Sequence, residues 1–366
     1  DAANNGMSNN VVIGYQAGGA MADQTTSDDN VIIGMEAGTG GTGEVKGVVV
    51  IGRDAMKTTG SNDQEGTIAI GSTALTALQA GVANLAIGYG AMAATTTGEH
   101  NTVIGYRSLI SGTGNNYNTV LGYEALASAA ASGMNNNVVI GWHAGNLINN
   151  TGSDENIFIG SDAGKGGTGA VAESIAIGQS ALDGTGTIGG TNNIAIGKNS
   201  IGGAFSTSTS NYNIGVGRNT IGGALNAAGY NVAVGDSAMA AQVSGTYNIA
   251  IGANALDAST DGDGNIAIGQ DALGNFNANG SNNIAIGANT GDAFGSAALT
   301  GCVLIGLNAG GAINNTGANY STAVGKDALS AVTSGAANTA VGVNTGATIT
   351  TGNYNTLIGR QADVGT

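Results

Sequence analysis

The sequence predicts an all-β protein, a parallel β-solenoid of about twenty coils, on three observations. A short phrase recurs along the whole chain, as in "NNIAIGKNSIGG" at 192–203, "YNIAIGANALDA" at 247–258 and "NNIAIGANTGDA" at 282–293. Within each phrase aliphatic residues alternate with period two, which is a strand signal. Between phrases lie polar, Gly-rich stretches that absorb every insertion and deletion, which marks them as loops.

Composition supports a repetitive, folded chain. Of 366 residues, 67 are Gly, none is Pro and 9% are charged, against roughly 25% charged in ordinary globular proteins. Disorder requires low hydrophobicity, whereas 42% of this chain is apolar and its aliphatic residues fall at regular places. A net charge of −15 with nine thinly spread Lys and Arg argues against nucleic acid, which demands clustered cations, and disfavours anionic membrane surfaces. No apolar run approaches the ~18 residues of a membrane span, and no basic-then-apolar leader opens the chain. A start at Asp1 rather than Met fits a processed or partial piece of a longer fibre protein. One cysteine, Cys302, excludes a disulfide within the chain and gives no metal-site spacing.

With the Gly that closes each phrase as position zero, twenty copies run from Gly14 to Gly359 at steps of 17 to 20 residues. The repeats occupy residues 10–359 of a single repetitive domain, 1–366, uninterrupted by any linker. At about 4.8 Å per coil, nineteen steps give a rod on the order of 90 Å long. Each coil is expected to open on Asn four before the Gly, present in fifteen copies, whose amides stack from coil to coil. A strand of five residues follows, then a sharp corner at the Gly, where positive φ or close backbone approach excludes a Cβ. Three after the Gly stands a small residue in every copy, such as Ala17, Ala125 and Ala272, as a narrow interior demands. A second short strand and a variable return loop complete the coil. The residues one and three before the Gly, always Ile, Leu, Val or Thr, are expected to fill the interior. The residue between them is expected to face outward: Val12, Ile32, Ala69, Phe158, Ala195, Ala250 and Leu304 are examples. A sheet apolar on both faces needs a cover, so the reading is a homo-oligomer, most simply a side-by-side homotrimer.

Phrases such as Ser174–Leu182 and Asn265–Leu273 resemble the head repeats of trimeric autotransporter adhesins, in which Asn, an aliphatic triplet and Gly build a left-handed parallel β-roll trimer. The run at 83–126 looks even more like repeat regions in tail fibres of marine bacteriophages. The resemblance covers Asn10 to Gly359. It implies a left-handed β-roll, an extracellular place on a virion tail fibre or cell surface, and fibre or virion proteins at its ends.

No active site stands out, and the chain is read as non-enzymatic, without cofactor or metal. His100 and His143 stand far apart and neither pairs with Cys302 or a serine in a nucleophile motif. The Gly-x-Gly matches, as in "GVGRNTIGG" at 215–223, belong to the repeat and lack a strand–turn–helix context. Cys302 occupies an Asn position and reads as a small ladder residue. "STDGDGN" at 259–265 offers Asp261 and Asp263 to a hard cation, but Asp-Gly pairs are common turn formers and the turn reading is favoured. The most suggestive constellation is aromatic. Tyr89, Tyr106, Tyr123 and Trp142 directly follow the Gly in four consecutive coils, predicting a stacked ridge beside Arg107 and His143. Such a ridge suits a cell-surface glycan or protein receptor, or serves as a structural ladder. The function this predicts is the shaft or head of an attachment fibre; the alternative is a subunit of an extracellular filament assembled end to end.

Overall fold

The computed structural model describes residues 8–21, 27–60, 64–129, 133–186, 188–205, 208–276, 279–293, 299–313 and 318–363. It is an all-β solenoid of stacked parallel coils, and among the described residues helix is almost absent, a 3₁₀ turn at Gly19–Met21 being one short instance. Two compact units divide the chain, 1–180 with 185–189, and 181–184 with 190–366. Each carries ten strands of three residues, from Val11–Ile13 to Ile175–Ile177 in the first and from Ile194–Ile196 to Thr356–Ile358 in the second. Within each unit successive strands pair in parallel and strictly in register: Val31, Ile32 and Ile33 lie beside Val49, Val50 and Ile51, and Ile249, Ala250 and Ile251 beside Ile266, Ala267 and Ile268. Equivalent positions of the repeat therefore stack into columns.

The expected five-residue strand shrinks to three, and the second strand is not formed: the residues after the Gly make a run of turns. The reason is backbone conformation. The second and fourth residues after the Gly are left-handed, as at Arg107 (φ 50°) and Leu109 (φ 45°), or Glu124 (φ 49°) and Leu126 (φ 51°), and alternating hands fold the chain back on itself. A left-handed non-Gly residue costs roughly 1 kcal/mol. Hydrogen bonds between coils offset it: Arg107 N donates to Tyr89 O at 2.8 Å and Leu109 N to Ala125 O at 3.0 Å. The Gly itself is obligatory. At Gly14, with φ 135°, a Cβ would stand 2.5 Å from the carbonyl oxygen of Gly34 in the next coil.

The assignment of inside and outside is reversed. In every described coil strand but the first and last, the middle residue is buried and the two flanking it are half-buried or exposed. Ile32, Ala69, Phe158, Ala195, Ala250 and Leu304 are thus interior, while Ile157, Ile196, Ile251 and Ile305 are 36–40% exposed on the outer face. Val12, in the first coil, is exposed. The narrowness of the coil explains the inversion: its interior already takes the Asn, the small third residue and a large fourth residue such as Leu75, Met92 or Leu256. Paired Ile side chains do not fit there; one Ala does.

Interior volume is traded between two positions of the coil. Where the middle residue is Ile32, Phe158 or Leu304, the fourth residue after the Gly is itself Gly, at Gly38, Gly164 and Gly310; a middle Val takes either, Val139 with Gly145 but Val103 with Leu109. Where it is Ala or Gly, the fourth is mostly large: Ala69 with Leu75, Ala86 with Met92, Gly215 with Ile221. A Cβ on Gly38 would touch Ile32 Cδ1 at 3.3 Å, and one on Gly310 would lie 2.9 Å from both Leu304 Cδ atoms.

The expected amide ladder is present. In the first unit Asn101, Asn118, Asn137 and Asn156 each donate Nδ2 to Oδ1 of the preceding Asn at 3.0–3.1 Å, and Asn213, Asn231, Asn248, Asn265 and Asn283 do so in the second at 3.0–3.2 Å. Each Nδ2 also reaches a return-loop carbonyl, as Asn118 does Met134 O at 2.8 Å. Buried amides are thus satisfied twice over, as low-dielectric interiors require.

Volume conservation makes a testable prediction. Gly164→Leu, which drives a side chain into the Phe158 ring, lowers stability by about 2 kcal/mol or more, and Phe158→Ala costs about 3. The double variant recreates the Ala-with-Leu pairing of other coils and is more stable than Phe158→Ala alone. Urea melts of the three variants measure the coupling.

Candidate functional site

The predicted ridge is partly formed. Tyr89, Tyr106 and Tyr123 stack with ring centroids 5.3 and 5.2 Å apart and interplanar angles of 15° and 5°. Trp142 lies instead against His143 of its own coil, centroids 3.6 Å apart, and the His143 ring stands 5.7 Å from Tyr123 at a 40° tilt. All four aromatic residues are about half-exposed. The in-register stack fixes this spacing, since side chains in one column inherit the coil repeat. It also turns the faces of the tyrosine rings onto one another, so the edges and phenolic hydroxyls meet solvent.

A charged column runs beside the ridge. Arg107, Glu124, His143 and Asp162 all stand two after their Gly. His143 Nε2 is 3.1 Å from Glu124 Oε2, Arg107 reaches Glu124 Oε1 at 3.9 Å, and Lys165 Nζ contacts Asp162 Oδ1 at 3.1 Å. These polar contacts link neighbouring coils; exposed pairs of this kind add little to stability. Its chemistry is that of a polar border to an aromatic strip.

A second ladder stands in the second unit, where Tyr212, Tyr230 and Tyr247 stack at 4.9 and 5.0 Å. His100 and Tyr117 occupy the same register in the first unit and stack at 5.1 Å. The signal was in the sequence, as these residues stand five before their Gly, directly ahead of the Asn, in consecutive coils.

The loop at 259–265 uses its carboxylates between coils. Asp263 Oδ1 accepts from Thr246 N at 2.7 Å and Thr246 Oγ1 at 2.8 Å, and Asp261 Oδ1 from Ser244 Oγ at 2.5 Å. Among the described residues no group of three His, Cys, Asp or Glu is placed to hold a metal ion. Cys302 is buried in the Asn column; its N donates to Asn283 Oδ1 at 3.0 Å, and burial pushes its thiol up from the usual range. That is an unreactive environment.

No family model matches the chain, and no curated protein is found to match it.

One carboxylate in the second unit carries an electrostatic cost. Burial first, then the charges of Asp271 and Asp292, hold the Asp257 carboxyl above the usual carboxylate range. The folded chain keeps this proton at pH values where the unfolded chain has lost it, so stability falls as pH rises through that interval. Asp257→Asn is expected to raise the melting temperature at pH 7 by a small amount, on the order of 1 °C given partial solvent screening. Melting curves below about pH 3, where the Asp257 carboxyl is protonated in the folded and the unfolded chain alike, should show the advantage gone.

Proposed function

We propose that the chain is a non-enzymatic segment of an extracellular attachment fibre, a phage tail-fibre-like or adhesin-like solenoid whose outer aliphatic face is closed by copies of itself. The observation that carries this reading is that face. Two files of Ile, Val, Leu and Thr flank the buried residue in every described coil strand but the first and last, and many of these side chains are more than a third exposed. Ten coils at ~4.8 Å present on the order of 500 Å² per unit, at the upper end of what a monomer leaves bare.

A second copy is the natural cover because its coils have the same spacing. Any other surface falls out of step with a 4.8 Å repeat within a few coils. Three copies about one axis bring three such faces together and leave loops and aromatic columns outside. Thr102 and Thr119, and Thr322, Thr339 and Thr356, meet their own kind across such a seam only when the copies run parallel and in register. Cell-surface glycan or protein receptors would then be met by the outward columns, Tyr89, Tyr106, Tyr123 and Trp142 among them.

Sedimentation equilibrium is expected to return three times the 35.2 kDa chain mass, and Ile249→Lys with Ile266→Lys and Ile284→Lys to return monomers with unchanged β circular dichroism. A stable soluble wild-type monomer contradicts the reading. For the ridge, beads coated with the chain are tested for adhesion to a panel of bacterial cells. Loss of adhesion in Tyr106→Ala with Tyr123→Ala at unchanged melting temperature supports a binding surface. A large fall in melting temperature assigns the ladder to stability.

A further inference from the structure

Three cavities share one address in the coil. In the second unit, one of about 370 Å³ is lined by Asp183, Asn199, Gly202, Asn219, Gly222 and Ala240. Another, of about 450 Å³, is lined by Asn289, Asp292, Asn308, Gly311, Asp327 and Ser330. Counted from the coil Gly, the asparagines and Asp327 all stand at the second position, and Asp183, Asp292, the three glycines, Ala240 and Ser330 all stand at the fifth. A third cavity, of about 370 Å³ in the first unit, repeats the pattern with Gln16 at the second position and Gly19 and Thr39 at the fifth. Within its own unit each is a stretch of groove running along the coils between the second-position and fifth-position columns.

What opens the groove is the fifth residue. Where that residue is long, the groove is bridged: Ile110 Cδ1 and Arg107 Cγ lie 3.6 and 3.7 Å from the place a Cβ on Gly90 would occupy, and Lys57 Nζ reaches across to Asp54 Oδ1 at 2.9 Å. Where it is Gly, Ala, Ser or Thr, the space remains. The wall is pre-organised by hydrogen bonds along the column. Asn199 Nδ2 donates to Asn219 Oδ1 at 3.1 Å, and Asn308 Nδ2 to Asp327 Oδ1 at 2.9 Å. Both second-unit cavities include an aspartate at the fifth position, Asp183 and Asp292.

We infer that these grooves bind neutral carbohydrate. Their volumes lie in the range of small-ligand sites, roughly 300–1,000 Å³. Each amide in the wall both donates and accepts, which matches vicinal hydroxyls that do the same, and the aspartates add charge-assisted acceptance from sugar O–H groups. No Lys or Arg lines any of the three, and the two second-unit grooves carry carboxylates, of which Asp327 is paired with Lys326 from outside the lining at 3.6 Å, so an anionic glycan meets net negative charge there, and an apolar ligand finds walls of Asn, Asp and Gly. This deepens the attachment reading by naming a ligand class and a surface other than the aromatic ridge, and it rests on that reading only for its biological purpose.

The test uses the full chain, fluorescently labelled, on a printed array of neutral hexose oligosaccharides beside sialylated and sulfated ones, in EDTA. The neutral hits are then titrated calorimetrically. Ala240→Leu with Ser330→Leu fills both second-unit cavities without removing a hydrogen bond and is expected to weaken binding at least tenfold. Should that variant melt early, Asp183→Asn with Asp292→Asn keeps side-chain volume and is expected to weaken binding several-fold. Tyr106→Ala with Tyr123→Ala is expected to bind as wild type. The inference is overturned by capture of acidic glycans alone, by dependence on added calcium, by unchanged affinity in folded groove variants, or by an array with no neutral hit. Adhesion of coated beads to cells in any of those cases leaves the attachment reading standing while the groove assignment fails.

Discussion

A coil this narrow cannot satisfy its own backbone. Apart from tight turns, the N–H and C=O groups of each coil find partners in the coils above and below, as when Gly34 N donates to Ile13 O at 2.8 Å and Val31 N to Val48 O at 2.9 Å. Burying an unpaired peptide group costs about 1–3 kcal/mol, so the coils are locked to a common register, and register forces like positions into columns. The obligatory glycine follows directly, since adjacent coils approach so closely at Gly14 and Gly34 that no Cβ has room. So does the amide column, because Asn at this position in consecutive coils, as from Asn101 to Asn156, lets each side chain hand a hydrogen bond to the next.

Once columns exist, side-chain volume becomes a property of the coil and not of the residue. Phe158 is tolerated because Gly164 leaves its space open, and Ala86 because Met92 occupies it. Cores pack near crystal density, so a middle residue as large as Phe158 or Leu304 excludes a side chain at the fourth position, while Val in the middle admits one, as Val103 does Leu109. This explains how loops change length from coil to coil while the three-residue strand does not: the loops lie outside the traded volume. It also explains why large side chains accumulate outside. The β-branched Ile and Val that favour strands are needed to form the ladder, and the interior has room for only the residue between them.

Much of the architecture was legible in the repeat. The period, the corner glycine, the amide column, the small third residue and the parallel register are all encoded as residue identity at fixed offsets, and each reappears in the coordinates. Facing was not legible in the same way. Period-two alternation says that Ile194 and Ile196 share a side opposite to Ala195, but not which side is interior; the deciding quantity is cross-section, and the pairing of Ile32 with Gly38 against Ala69 with Leu75 is the signal that held it. The turns after the glycine were misread because alternating small and large residues imitate a strand, whereas Arg107 and Leu109 are left-handed. Of the surface, the stack of Tyr89, Tyr106 and Tyr123 could be read from spacing alone. Trp142 could not, since a bulkier ring beside His143 has a closer partner within its own coil.

The same stacking that fixes the core multiplies surface chemistry. A residue type placed at one offset in successive coils becomes a strip, so tyrosine makes ladders and a short fifth residue makes a groove. Strips of this kind are individually modest: the tyrosine faces are spent on each other, and the grooves are shallow and polar. Their strength lies in repetition at fixed distance. The first fifth-position residues of the two second-unit grooves, Asp183 and Asp292, stand six coils apart, or about 29 Å along the stack. A solenoid holds such sites rigidly, so engagement of the first places the second at high effective concentration for a multivalent surface. On the proposed attachment reading, weak contacts repeated on a regular scaffold take the place of a single deep site.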